Sequence, residues 1–79
     1  MSDDRKANVK EIKAMIQVAT LAIPRERESR DMYRKAAKNA PGELSKQLFE
    51  RLAKDEEQHA LKLKAIIKYL KEELERLND

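Results

Sequence analysis

The sequence lacks cysteine and tryptophan, and it has one glycine and two prolines among its 79 residues. Without cysteine, the chain cannot form disulfide staples, thiolate metal sites or a thiol nucleophile. No uncharged apolar run approaches the roughly 20 residues that a membrane-spanning helix needs, and the N-terminal segment has no apolar signal core. We therefore expect a soluble protein located in the cytoplasm, with no membrane partner.

The scarcity of glycine and proline, together with 42% charged residues, favours long helices over strands and turns. The net charge of +3 could suggest nucleic acid. Positive and negative residues alternate instead of forming a basic block, however, so we do not expect nucleic-acid binding. A chain this short seldom stabilises a fold alone without disulfides, so we expect that metal or a partner chain adds stability.

A single turn is predicted at residues 39–42, where Asn39 tolerates the left-handed conformation, Pro41 cannot continue a helix and Gly42 follows. Pro24 removes an amide donor inside the first helical pattern, and we expect it to kink or locally unwind that helix. The predicted organisation is one domain over residues 1–79, with helix 1 over about 4–39 capped by Ser2 or Asp3, a turn over 40–42 and helix 2 over about 43–77.

Apolar residues recur every three, four or seven positions on both sides of this turn, which is the pattern of a helix with one buried face. Flanking apolar positions widen each face beyond the seam that two helices share, so a second hairpin is the simplest cover. These positions include Phe49, Ala53, Ala60, Ile67, Ala22 and Ala36. The sequence predicts an all-α fold, a two-helix antiparallel hairpin that dimerises into a four-helix bundle. The predicted faces are Val9, Ile12, Ile16, Ala19, Ile23, Glu26, Tyr33 and Ala37, and then Leu44, Leu48, Leu52, Glu56, His59, Leu63, Ile66, Leu70, Leu74 and Leu77.

Ionisable residues interrupt both apolar faces. Glu56 and His59, three residues apart, project from the same face of the second helix, and Glu26 falls on the face of the first. Burying an uncompensated carboxylate costs several kcal/mol, so each glutamate implies a cation, a proton or a hydrogen-bond partner. Glu26 and Glu56 lie equally far before and after Pro41. We therefore expect the two carboxylates at the same height in the hairpin.

Two glutamates and an imidazole at one level form a three-ligand set for a divalent transition metal. A two-fold dimer would double this set to the ligand inventory of di-iron carboxylate bundles, four Glu and two His. The alternatives are that His59 is a hydrogen-bonded core residue and that each glutamate is a salt-bridged flanking residue. Tyr33, one heptad after Glu26, is either core packing or a group just outside the ligands.

The segments AIPRERESRDMY, residues 22–33, and LFERLAKDEEQH, residues 48–59, resemble the rubrerythrin and encapsulated-ferritin branch of the ferritin-like superfamily. The resemblance covers roughly residues 10–70. It implies a ferritin-like bundle in which Glu26, Glu56 and His59 ligate iron, with two ions at each dimer interface, and in which Tyr33 lies near the site. Encapsulated ferritins are short two-helix chains whose site forms between subunits, and this chain has a similar length.

The activity that the resemblance implies is that of a ferroxidase, which oxidises Fe(II) to Fe(III) with O2 or peroxide in iron storage or detoxification. Glu26, Glu56 and His59 would be its catalytic residues. A rubrerythrin-like peroxide reductase is an alternative, although the chain has no cysteine for a rubredoxin-type electron donor. A non-catalytic helical scaffold or interaction module, with or without structural metal, is another. Mn or Zn would accept the same oxygen and nitrogen ligands.

The resemblance also implies an encapsulin shell as a partner, besides a second copy of the chain in a homodimer or higher homo-oligomer. Arg25 stands where encapsulated ferritins often add an acidic secondary site, and no cargo extension follows Leu77. We therefore do not expect encapsulin packaging or ring assembly.

Overall fold

A computed structural model describes residues 2–78 of the chain, and the side chains of residues 5–78. It contains two helices, α1 (Ser2–Lys38) and α2 (Glu43–Asn78), which pack along each other as a rod 61 Å long. The described residues include no strand, so the predicted all-α class is confirmed. The predicted N-cap at Ser2 or Asp3 lies outside the described side chains.

The turn between the helices forms without a positive φ angle at any described residue. The expectation of a left-handed residue at Asn39 is therefore wrong. Asn39 and Ala40 donate their amides back into the last turn of α1 at 3.1 and 3.3 Å, and the Gly42 carbonyl accepts the first amide bond of α2 at 3.0 Å. Pro41 disfavours the helical conformation of Ala40, the residue before it. Helix α1 therefore ends here without a glycine cap.

Helix α1 continues through Pro24, so the local unwinding expected from the sequence does not occur. Pro24 has no amide to donate to the Thr20 carbonyl one turn earlier. The Thr20 hydroxyl itself donates to the Ile16 carbonyl at 2.7 Å, a bond of the kind that bends a helix slightly without breaking it. Glu26 therefore keeps its place on the same face as Ala19, as the heptad pattern predicts.

The most deeply buried residues between the helices are mostly alanines. Such small side chains bring two helices close together but remove little apolar surface from water. The hairpin alone therefore has a thin core, as its length predicts. The buried apolar residues among those described are Ala19, Ala37, Ala53, Ala60 and Leu70.

Much of the apolar face predicted for α2 does not contact α1. Leu48 and Leu52 remain 53% and 40% exposed, whereas Ala53, predicted to flank that face, is buried. Adjacent residues project about 100° apart around a helix, so Leu52 points well away from the direction of Ala53. Leu48 and Ile66 lie on the same side as Leu52. The predicted face was wrong at these residues because α2 has two neighbouring apolar sides, and only one of them contacts α1.

We define the open face as the surface formed by Met15, Val18, Leu48, Leu52 and Ile66, all of which are exposed in the chain. Met15, Val18 and Ile66 line one shallow apolar cleft between the two helices. The open face is thus an apolar surface of the hairpin that neither helix covers. Within residues 2–78, neither helix is apolar enough to cross a lipid bilayer.

Replacing Ala60 by leucine should lower the free energy of unfolding by about 1–3 kcal/mol, because the larger side chain forces the closely packed helices apart. Urea unfolding followed by circular dichroism measures this change. Ala65→Leu adds the same side chain at an exposed position of the same helix, and it should stay within about 0.5 kcal/mol of wild type. Equal stabilities of the two variants would contradict a tightly packed alanine seam.

Candidate metal centre

The structure brings Glu26 of α1 together with Glu56 and His59 of α2 near the middle of the hairpin. One ligand atom from each of the three side chains lies within 4.8 Å of the others. Glu26 and Glu56 meet because they are equally distant from the turn, and His59 follows Glu56 by nearly one helical turn. All three residues that the sequence singled out as metal ligands therefore occupy one place.

His59 lies closest to the two carboxylates through its Nδ1 atom, which is 3.4 Å from Glu26 Oε2 and 3.8 Å from Glu56 Oε1. The His59 side chain is 53% exposed, whereas those of Glu26 and Glu56 are 27% and 20% exposed. The imidazole therefore forms the outer side of the cluster, and it lies midway between Leu52 and Ile66 of the open face. The cluster opens toward that face.

The Oε2 atom of Glu26 is shielded from solvent and accepts no hydrogen bond from the described residues. Leaving a buried carboxylate oxygen unpaired is costly, so this atom calls for a cation or a proton. Zn or another divalent metal binds such nitrogen and oxygen atoms at about 2.0–2.2 Å, which leaves its ligands about 3–4 Å apart. The spacing and chemistry of the three donors therefore fit one divalent transition-metal ion with only small side-chain movements.

The surroundings of Glu56 favour its uncharged form. Its pKa is raised above the ordinary glutamate value, first by a hydrogen bond with Glu26, then by burial and by repulsion from the Glu26 charge. Two ionised carboxylates cannot share a hydrogen bond, so this contact requires a proton on one of them. Glu56 therefore takes up a proton more readily than an isolated glutamate does.

The environment of Glu57, the next residue, instead favours its charged form. Arg30 donates a hydrogen bond to it at 2.5 Å across the two helices and a second one to Asp31 at 3.0 Å. The bond from Arg30 and the charges of Arg30, Arg34 and Arg27 lower the pKa of Glu57. Sequence reasoning missed this pair. The signal was weak, because Glu57 looks like one more residue of a charged helix surface.

Tyr33 stacks on Phe49 on the turn side of the cluster, with ring centroids 6.4 Å apart and an interplanar angle of 27°. Tyr33 comes one heptad after Glu26 and Phe49 one heptad before Glu56, so the ring pair packs between the two helices. This contact accounts for Tyr33 as a packing residue. Its proposed place beside bound metal stays a prediction.

The Rubrerythrin family model matches the sequence over residues 18–79, which is more than half of the chain. The matched segment contains Glu26, Glu56 and His59. No curated protein and no solved structure gives a match to the chain.

The raised pKa of Glu56 predicts how pH affects the metal-free protein. A carboxyl group whose pKa is higher in the folded state stabilises the fold at low pH, and this contribution is lost as the pH rises through the raised pKa. Glu56→Gln mimics the protonated form at every pH. The melting temperature of this variant, minus that of wild type, should therefore increase between pH 4.5, the ordinary glutamate pKa, and about pH 7. Thermal melts with chelator present test this, and a constant difference would contradict it.

Proposed function

Since this chain belongs to the rubrerythrin family, we propose that it is a di-iron carboxylate ferroxidase whose site is assembled from two copies of the chain. Members of this family typically bind iron. The observation that carries the proposal is the cluster of Glu26, Glu56 and His59, in which a shielded carboxylate oxygen lacks a partner. Two glutamates and one histidine are half of the ligand set of a di-iron bundle.

The open face supports the proposal that a second copy completes the site. It is apolar, it flanks the cluster on both sides along α2, and its leucine and isoleucine side chains are about half exposed in the single chain. Burying each of them would contribute about 1–2 kcal/mol to association. A two-fold axis through the open face would bring two His59 side chains and four glutamates together, because such an interface presents the same patch from both copies.

Each of the three residues would contribute the ligand atom that its side chain offers. Glu26 and Glu56 would hold Fe(II) through carboxylate oxygens, and His59 through an imidazole nitrogen from the outer side. The two iron ions, which are the substrate, would each give up one electron to O2 or peroxide. Four carboxylates from two chains carry four negative charges and so balance two divalent ions. In the dimer, the surrounding alanines and leucines would keep water away and strengthen this attraction. Mn or Zn would fit the same donors without this reaction.

Anaerobic titration of the apo protein with Fe(II) should reach saturation at about two ions per dimer, and admitting air should then produce an absorbance rise in the near ultraviolet. The expected cause is oxidation of both ions at the carboxylate site. Glu26→Ala and His59→Ala should each abolish stoichiometric oxidation while leaving the helical circular dichroism largely unchanged, because each removes a ligand from an otherwise apolar region.

Glu28→Ala and Gln58→Ala are the matched controls, since each changes an exposed residue next to the site on the same helix. Both controls should oxidise iron like wild type. Stoichiometric oxidation by Glu26→Ala or His59→Ala would show that the ligands lie elsewhere. Tight binding of two metal ions without oxidation in air would favour a metal-stabilised scaffold, and rapid oxidation by peroxide but not by O2 would favour a peroxide reductase.

The dimer is predicted to depend on the open face. Wild type should sediment at twice the monomer mass of 9.2 kDa at micromolar concentration. Ile66→Lys should weaken association by at least about 2 kcal/mol, or roughly thirtyfold in Kd, because it exchanges a buried apolar side chain for a charge. Leu61→Lys, at an equally exposed leucine on another side of α2, should remain dimeric. A helical wild-type monomer would exclude the shared site.

A further inference from the structure

We propose that Arg30 and Glu57 form a clamp between the helices that holds Glu26 in register with Glu56 and His59. The clamp would set the affinity of the site for a divalent cation although neither residue touches the cation. Arg30 and Glu57 are thus positioning residues. This inference rests on the proposed metal site.

The clamp connects the two halves of the site at short range. Arg30 lies one turn after Glu26 on α1, and its side chain extends back toward the N-terminus of that helix, as helical side chains do. It reaches α2 at Glu57, the residue next to Glu56, where its Nη1 donates at 2.5 Å. Apart from the contact between Glu26 and Glu56 within the cluster itself, this is the hydrogen bond that joins side chains of the two helices among residues 5–78.

The geometry of Arg30 is itself restricted. Its side chain is only 19% exposed, and its Nε donates to Asp31 at 3.0 Å while Nη1 holds Glu57. Two bonds from one planar guanidinium orient the group far more strictly than a single exposed ion pair would. Most exposed surface pairs contribute little. The partial burial and the double bonding distinguish this pair from them.

The clamp matters because the buried residues of α2 nearest to Glu56 are small and specify the register only weakly. The buried residues of α2 on either side of Glu56 are Ala53 and Ala60, whose methyl groups offer little to interlock with α1. When both are ionised, Glu26 and Glu56 also repel each other across the seam. An attractive pair one residue away from Glu56 opposes that repulsion and limits sliding of α1 along α2.

The clamp also lies on the side of the site opposite His59. Relative to Glu56, Glu57 is turned by about 100° around α2 in one direction and His59 by about 60° in the other. His59 faces the open face, where the second copy is proposed to dock. Arg30 and Glu57 therefore close the back of the cluster and leave its front accessible.

The direction in which each substitution changes the metal affinity distinguishes a positioning role from a purely electrostatic one. If Arg30 and Glu57 acted only through their charges, Arg30→Gln would strengthen cation binding and Glu57→Gln would weaken it. Positioning predicts that both substitutions weaken binding. It also predicts that the double variant Arg30→Gln/Glu57→Gln binds the cation no more weakly than either single variant does. Each single substitution already breaks the clamp, so the second one removes nothing more.

The experiment is a titration of the apo protein with Co(II), followed by visible absorption and by competition with a chelator, at a temperature where circular dichroism shows every variant folded. We expect the Kd for Co(II) to rise about 10- to 100-fold in Arg30→Gln and in Glu57→Gln. Arg34→Gln is the matched control, because it removes the same charge one turn further along α1, from a residue whose one ion pair within residues 5–78 is with Asp31. Its Kd should match that of wild type.

Arg30→Lys keeps the charge but not the two-bond geometry, and its Kd should lie between those of wild type and Arg30→Gln. It also keeps the test open if Arg30→Gln fails to fold. Opposite changes in the two single variants, or a wild-type Kd in both, would overturn the clamp while leaving the proposed function intact. A wild-type chain that binds no Co(II) and oxidises no Fe(II) would overturn both.

Discussion

The meeting of Glu26 with Glu56 and His59 is the constraint on which the organisation of this hairpin depends. Two carboxylates held within a few ångströms of each other repel, and burial increases the cost of keeping both ionised. Such a pair persists in a folded protein only where a proton or a cation compensates it. The stability of the hairpin therefore depends on how these carboxylates are compensated.

The distribution of apolar residues follows from the same arrangement. The most deeply buried side chains between the helices are mostly alanines, whereas Leu48, Leu52 and Ile66 stay exposed on the open face beside His59. The single hairpin therefore combines a thin internal core with an apolar outer surface next to the cluster.

Much of the site could be anticipated from residue spacing. The heptad position of Glu26, the three-residue spacing of Glu56 and His59, and their equal distances from Pro41 suffice to bring these groups together, because two straight helices joined by a short turn have little freedom. Spacing could not reveal the pair of Arg30 and Glu57. Long charged side chains occupy many positions on these helices, and which of them meet depends on the rotation of each helix about its axis.

Helical periodicity and the single strong break at residues 39–42 determined by themselves that the chain is two helices joined by one turn, and which ionisable residues lie on apolar faces. Only the tertiary structure decided which side of α2 contacts α1. Leu52 and Ala53 are neighbours in sequence, and both fit an apolar face, yet one is exposed and the other buried. The physical reason is that packing along the whole length of the two helices fixes the rotation of each helix about its axis, and this rotation places Ala53 in the seam and Leu52 outside it.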